Sequence, residues 1–301
     1  MPYSNKEKIM ECVPNFSEGR DAGKVKQIVD SISSITGVRV LDFSLDADHN
    51  RCVVTFIGTS DSVFMGAMAA CNKANALIDM RCHRGVHPRI GAVDVVPFIP
   101  LLGANMEDAV KLAHRFGYAF AEECRVPVYF YGKAALYPER CELSNIRKGG
   151  CEALSEKLTD PSHCPDAGPA EFIACSGATS VGARFPLVAF NLNLDSNDLT
   201  LAKKIAAAIR ESAGGLRHVR AIGICLESRN IVQISMNLTD YRVTSIPDVF
   251  YRVRDLASRT GVQILESELI GLIPRAALGE EDPKAMKIKD FTEKKILETY
   301  L

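Results

Sequence analysis

Apolar positions along this chain change period from segment to segment, and the changes mark out its elements. KIMECVPNFSEG opens with a short apolar strand and ends in turn residues. DAGKVKQIVDSISSI then sets Val25, Ile28, Val29 and Ile32 on one helical face. VRVLDFSLD and RCVVTFIGT predict two strands joined by the polar turn ADHN, and DSVFMGAMAACNKANALID predicts a helix with Phe64, Met68 and Cys71 inward and Ser60 as its cap. AVDVVPFIP predicts a strand. A helix follows from Asn105 to about Cys124, stacking Ala109, Leu112, Ala113, Phe116 and Phe120, and then the strand VPVYFYG. From about Pro138 to Gly182 the periodicity fades. PSHCPDAGPAEF and GATSVGA are too rich in Gly and Pro to predict an element interior.

The rhythm then restarts. FPLVAFNLNL predicts a strand, DLTLAKKIAAAIRES a helix with Ala202, Ile205 and Ile209 inward, and HVRAIGICLES and IVQISMNLT two more strands. SIPDVFYRVRDLASRTG predicts a helix capped by Ser245 that buries Val249, Val253, Leu256 and Ala257, and ELIGLIP predicts the last strand. Each half therefore runs β-α-β-β-α-β, the order of ferredoxin-like units, with a helix and a strand added to the first half. The expectation is an α+β protein of two ferredoxin-like subdomains, residues 1–182 and 183–301. Their sheets would carry helices on one face and face each other across a ligand cleft.

Composition narrows the partners. The 301 residues carry a formal net charge of −1 and are 47% hydrophobic, which argues against nucleic acid, since phosphate backbones select strongly basic surfaces. Local arginine clusters would have to meet any anionic ligand. MPYSNKEKIMEC lacks the apolar centre of a signal peptide, and no apolar run approaches the ~18–20 residues of a membrane span. The expectation is a cytoplasmic protein with no membrane partner. The 10 cysteines are scattered without a C-x-x-C pair, so reduced thiols are expected, and cysteine-bound zinc is not.

The densest chemistry lies in RCHRGVHPRIGAVDVVPFIP, from Arg81 to Pro100. His83 and His87 stand four apart, but Gly85 and Pro88 interrupt any helix and no H-E-x-x-H pattern exists, so a metal site is not expected. Two readings remain: a solvated loop whose histidines cap neighbouring elements, and a site for acid–base catalysis. Imidazole can both take and return a proton near neutrality, Pro88 would fix the backbone at His87, and flanking arginines could hold carboxylates bidentately. No nucleophile motif accompanies the stretch, which favours direct transfer between bound substrates.

ECVPNFSEGR (11–20), DHNRCVVTFIG (48–58), HRGVHPRIGAVDVVPFIP (83–100), VPVYFYG (126–132), GATSVGAR (177–184) and LVAFNLNL (187–194) resemble the glutamate formimidoyltransferase family in order and spacing, over Cys12 to about Pro274. The resemblance implies transfer of a formimino group from N-formimino-L-glutamate to N5 of tetrahydrofolate in histidine degradation and one-carbon metabolism. The chain would be a stand-alone transferase without the helical cyclodeaminase domain that some members carry. The two halves would be its N-terminal and C-terminal subdomains. Family members are homodimers that use tetrahydrofolate as co-substrate and no metal.

The resemblance implies that the histidine of H-P-R, His87, is catalytic and not His83, which is read as a supporting or loop histidine. It also implies that the folate-contacting segment is Gly168, Pro169, Ala170, Glu171, Phe172, Ile173, Ala174, Cys175, Ser176 and Gly177. Longer, fused members carry a tryptophan where this chain has Ser176, leaving Phe172 as the nearest aromatic substitute; a plain inter-domain linker is the competing reading of this stretch. Arg51, Arg89 and Arg184 lie inside matching motifs and are candidates for substrate carboxylates, each alternatively a salt-bridge partner. Asp42, Asp48 and Asp94 are candidates for orienting His87. The open alternatives are a related enzyme that uses formiminoglycine or a formyl donor, and a non-catalytic folate-binding protein.

Overall fold

A proline divides the first strand of the fold. In a computed structural model that describes residues 7–301, the opening apolar run forms β1 (Ile9–Cys12) and β2 (Asn15–Phe16), separated at Pro14, which has no N–H to give to a ladder. The chain continues through α1 (Ala22–Ser33), β3 (Val38–Asp46), β4 (Arg51–Thr59), α2 (Ser60–Leu77), β5 (Val93–Pro100), α3 (Met106–Cys124) and β6 (Val128–Gly132). Two single-turn helices follow, α4 (Leu143–Ile146) and α5 (Leu154–Lys157), and then β7 (Thr179–Ala183). These elements belong to a first compact unit ending at Arg184.

Its sheet runs β3-β4-(β1, β2)-β5-β7-β6, because both β1 and β2 lie antiparallel between β4 and β5. β7 is parallel to β5 and β6 and sits between them. All five of its residues are buried. The glycine- and serine-rich GATSVGA stretch, expected to lie outside any element, is thus an interior strand. Small side chains suit the place: a Cβ at Gly182 would lie 2.5 Å from the ring of Tyr131 on the adjacent strand.

The helices cover one face of this sheet. Val25, Ile28, Val29 and Ile32 of α1 join residues of α2 and α3 and the strand positions Met10, Cys12, Phe16, Val54, Phe56, Phe98, Phe130 and Val181 in one core. The sidedness follows from the period-2 alternation of strand side chains, which throws Glu11, Asn15, Arg51, Thr55, Tyr131 and Ser180 onto the opposite face. The cap of α2 lies one residue earlier than expected: Thr59, not Ser60, is the N-cap, and its hydroxyl accepts from the Ser62 amide.

The second unit, Phe185–Leu301, runs β8 (Val188–Leu194), α6 (Leu199–Ile209), β9 (Val219–Leu226), β10 (Ile231–Leu238), α7 (Ile246–Ser258) and β11 (Ile264–Ile270). Its four strands are antiparallel in the order β11-β8-β10-β9. A second core gathers Phe190, Leu192, Ile205, Ile209, Ile234, Val249 and Val253. The other face is polar: Gln233 donates to Asn193 at 2.8 Å, and Asn193 donates to Glu268 at 2.8 Å.

The last strand lies earlier than ELIGLIP suggests. Its apolar run continues past the strand as Leu272 and Ile273, because these residues and the turns after them cap the second core. Ala277, Leu278, Met286, Ile288 and Ile296 are all buried there. Among the described residues no helix is long and apolar enough to cross a membrane.

Candidate active site

The β3–β4 hairpin and the loop before β5 meet on the polar face of the first sheet. Asp46 and Arg51 are cross-strand partners at the hairpin mouth, and the tip between them is Ala47-Asp48-His49-Asn50. Asn50 adopts φ +47°, a left-handed conformation that asparagine tolerates better than most residues. Its side chain then ties three segments together. Oδ1 accepts from the Gly19 amide at 3.0 Å and Nδ2 donates to the Arg84 carbonyl at 2.9 Å. Gly85 must be glycine for the same reason, since a Cβ there would lie 2.3 Å from the carbonyl oxygen of His49. A small pocket results, lined by Ser17, His49, Asn50, Arg51, His83, His87 and Arg89.

His87 is half-buried in this pocket. Its Nδ1 lies 2.8 Å from the Pro88 carbonyl. A carbonyl only accepts, so Nδ1 carries the proton and Nε2 holds the lone pair. The Arg51 guanidinium covers the ring, with Nη1 2.7 Å from Nδ1 and 2.5 Å from Nε2, while its Nη2 donates to Asn15. Burial, followed by the charges of Arg51 and Arg147 and the neighbouring His49, holds the His87 pKa well below the ordinary histidine value. The imidazole is therefore neutral at physiological pH, as a proton acceptor must be.

Arg51 itself is strained electrostatically. Burial and the nearby Arg147 bring its pKa down to about 10, against the opposing charge of Asp94. Its buried Nε has no hydrogen-bond partner among the described residues. Asp94 serves Arg147, whose Nε lies 3.3 Å from Oδ1 and whose Nη2 donates to Oδ2, and the same carboxylate accepts the Ile90 amide at 3.0 Å. Two guanidinium groups thus share one buried carboxylate, and this part of the sheet face is short of negative charge. Nearby, Arg184 hydrogen-bonds Tyr131 and faces Glu11. Burial outweighs the pull of Arg184 and raises the Glu11 pKa to about 7.

His83 and Arg89 hold each other. His83 is buried, its Nε2 lies 2.9 Å from the Asn50 carbonyl, and its Nδ1 accepts from Arg89 Nε at 3.1 Å. Both ring nitrogens are consumed by the protein. The Arg89 guanidinium also bonds Glu152, at 2.5 Å from Nη2 and 3.1 Å from Nη1.

His49 was not singled out from the sequence. Its ring centroid stands 5.7 Å from that of His87. Its Nδ1 lies 2.6 Å from the Asp46 carboxylate, which also accepts the His49 amide at 2.8 Å. Burial raises the Asp46 pKa, but hydrogen bonds and charge attraction from His49 outweigh it, and the carboxyl stays below its ordinary range. Of the aspartates considered as orienting groups, Asp94 is bound to Arg147, Asp48 gives its carbonyl to the Val86 amide at 3.3 Å, and Asp42 lies opposite Thr55 on β3. The group on His87 Nδ1 is the Pro88 carbonyl.

Gly168–Gly177 is stitched to the same loop. Gly91 and Gly177 form an antiparallel bridge, the Ala92 amide donates to the Ser176 carbonyl at 2.8 Å, and the Met80 amide donates to the Cys175 carbonyl at 2.9 Å. The glycines answer to the fold first. Gly177 has φ +67° and a Cβ there would lie 2.2 Å from the Ile90 oxygen, while at Gly168 (φ +82°) it would lie 2.4 Å from the Val126 oxygen. Phe172 packs partly buried against the core, and Ser176 is buried with an unpartnered Oγ. Among the described residues no group of three or more His, Cys, Asp or Glu is placed to hold a metal ion.

Comparison with known proteins gives matches along nearly the whole chain. Residues 9–184 match the formiminotransferase domain, N-terminal subdomain, and residues 189–287 match the formiminotransferase domain. A glutamate formimidoyltransferase of Thermoplasma acidophilum is 44% identical over 292 residues, covering 96% of this chain and 96% of that protein. One from Streptococcus pyogenes is 40% identical, covering 98% and 99%. The formimidoyltransferase-cyclodeaminase of Rattus norvegicus is 44% identical over 276 residues, covering 90% of this chain and 51% of that longer protein.

Proposed function

The chain belongs to the formiminotransferase family, matched in both of its subdomains, and we propose that it is a glutamate formimidoyltransferase, moving the formimino group of N-formimino-L-glutamate to N5 of tetrahydrofolate. The observation that carries the reading is similarity along the full length to two proteins of that name. The pocket chemistry agrees with it: a neutral imidazole, with its tautomer fixed by Pro88, lies beside guanidinium groups suited to anionic substrates.

In this reading the two units are ferredoxin-like subdomains, tetrahydrofolate is the co-substrate, and no metal takes part. Residues 168–177 contact the folate. The protein works as a homodimer in histidine breakdown and one-carbon transfer.

His87 is the catalytic base. As N5 of tetrahydrofolate attacks the formimino carbon, Nε2 takes the N5 proton, a transfer that needs positioning more than a strong base. Arg51 blocks that nitrogen in the free protein. A substrate carboxylate competes for the guanidinium and so draws it from the ring, which frees Nε2 and removes the charge that weakens the base. Arg51, Arg89 and Arg184 are the carboxylate ligands considered, and Arg51 is favoured because its Nε has no partner among the described residues.

The test is a spectroscopic assay with tetrahydrofolate and three donors: formiminoglutamate, formiminoglycine and N-formylglutamate. Formiminoglutamate is expected to give the largest kcat/KM. A preference for formiminoglycine or the formyl donor would change the assigned substrate, and tight folate binding without turnover would make the protein a binder. His87→Ala is expected to lower kcat by ~10²–10⁴ while changing folate affinity only a few-fold. Poor folate binding with a parental kcat at saturation would make His87 a binding residue.

A further inference from the structure

Exchange of one amine for another at a single carbon moves two protons in opposite directions. The incoming N5 loses one and the departing amine gains one. His87 has one nitrogen for both movements, because its Nδ1 is held by the Pro88 carbonyl.

The pocket holds a second imidazole whose surroundings are of the opposite sign. His49 is tied through Nδ1 to the Asp46 carboxylate at 2.6 Å. Its Nε2 is not buried and has no protein partner among the described residues. The two rings line one pocket with centroids 5.7 Å apart. One imidazole faces a guanidinium and the other a carboxylate.

Resting on the formimino-transfer reading, we infer that His49, held by Asp46, is the catalytic acid that protonates the departing amine, while His87 acts only as the base. The N5–carbon bond forms as the C=N π pair of the formimino group, bound as its amidinium, moves onto its terminal nitrogen and His87 Nε2 takes the N5 proton. The C=N bond then re-forms as the bond from that carbon to the glutamate nitrogen breaks, the broken bond's electron pair stays on the glutamate nitrogen, and His49 Nε2 supplies the proton that completes the free amine. His49 ends neutral and His87 ends protonated. Loss of a proton from His87 and gain of one by His49 restore both, so no net proton is consumed. The groups facing His49 are Asp46 on its own hairpin, Arg51 at the start of β4, and His83, His87 and Arg89 on the loop before β5. Asp46 is the carboxylate in contact with the His49 ring, which makes it the group that balances the charged acid.

The experiment compares the intact protein with His49→Gln and Asp46→Asn on two formimino donors. One is formiminoglutamate, whose alkylamine must be protonated to leave. The other is N-formimino-4-aminobenzoate, whose arylamine is a far weaker base and leaves without an acid. His49→Gln is expected to lower kcat about a hundredfold or more on formiminoglutamate and to cost no more than about tenfold on the arylamine donor. Asp46→Asn is expected to show the same donor-dependent loss in kcat, smaller than that of His49→Gln, because the carboxylate no longer orients the acid. Equal losses on both donors overturn the assignment, as does an Asp46→Asn variant whose kcat ratio between the two donors matches the parent's. The second result remains decisive if His49→Gln does not fold. An active parent with either of those outcomes removes the inference alone, whereas a parent that transfers nothing to tetrahydrofolate removes the function reading as well.

Discussion

Arg51 and Arg89 come from neighbouring motifs of the same sequence, yet their surroundings give them different work. Arg89 is already satisfied by Glu152 and His83, whereas Arg51 lies against the His87 imidazole with a buried Nε that has no partner among the described residues. Arg51→Gln is therefore expected to weaken donor binding by ~1–3 kcal/mol, the usual loss for a charge-assisted hydrogen bond, and Arg89→Ala to weaken it less while lowering the melting temperature. A larger rise in donor KM for Arg89→Ala, with unchanged melting, would reverse the two roles. Arg51→Gln also carries a pH signature. A base works when deprotonated, so activity falls as pH drops through its pKa, and the parent's acid limb lies below the ordinary histidine value of 6.5. Without the guanidinium the limb should move up toward that value. A limb that stays in place would show that burial alone sets the basicity of His87. At this scale the sequence revealed the histidine–arginine stretch but not its partners. His49 could have been found from Asp46 three residues earlier across a polar turn. Arg147 had no such signal, because it reaches Asp94 from a segment without periodicity, 53 residues away.

The elements were legible wherever a hydrophobic period survived. The faces of α1, α3, α6 and α7 follow the spacing of Val25, Phe116, Ile205 and Val253, since amphipathic helices advertise the side they bury. β7 was hidden for the converse reason. A strand between two parallel neighbours, packed under Tyr131, needs small residues, and Thr-Ser-Val-Gly-Ala looks like a turn when its neighbours are unknown. β7 also carries a consequence for the site. It begins two residues after Gly177, so the strand, the folate-segment candidate and the Gly91–Gly177 bridge form one mechanical piece. Gly177→Ala places a methyl group 2.2 Å from the Ile90 carbonyl oxygen at φ +67°, and it is expected to cost about 1–3 kcal/mol of stability. If residues 168–177 contact the folate, the same change should weaken folate binding more than donor binding. Equal effects on both ligands would count against that contact.

Across the whole molecule the buried groups of the first unit make stability depend on pH in two opposing ways. His83 and His87 have native pKa values depressed by burial and by neighbouring arginines. Below pH 6.5 the unfolded chain binds protons that the native state refuses, so their contribution is lost as pH falls. Glu11 runs the other way. Its carboxyl is raised from 4.5 to about 7, so between those values the native state keeps a proton that the unfolded chain releases. Stability from this group is present at acid pH and declines as pH rises through the window. At 1.36 kcal/mol per unit, the decline amounts to about 3 kcal/mol above pH 7. Glu11→Gln keeps the shape and the neutral state while removing the titration. Relative to the parent, the variant should therefore gain stability as pH rises from 5 to 8, by about 2–3 kcal/mol, measured as the difference between urea unfolding free energies. The attraction of Arg184 is already contained in the raised value, so its loss in the variant does not change the sign. A difference that stays flat between pH 5 and 8 would mean that Glu11 is ionised in the native state throughout. The carboxylate would then be a full ion-pair partner of Arg184, leaving that arginine less free to hold a substrate carboxylate.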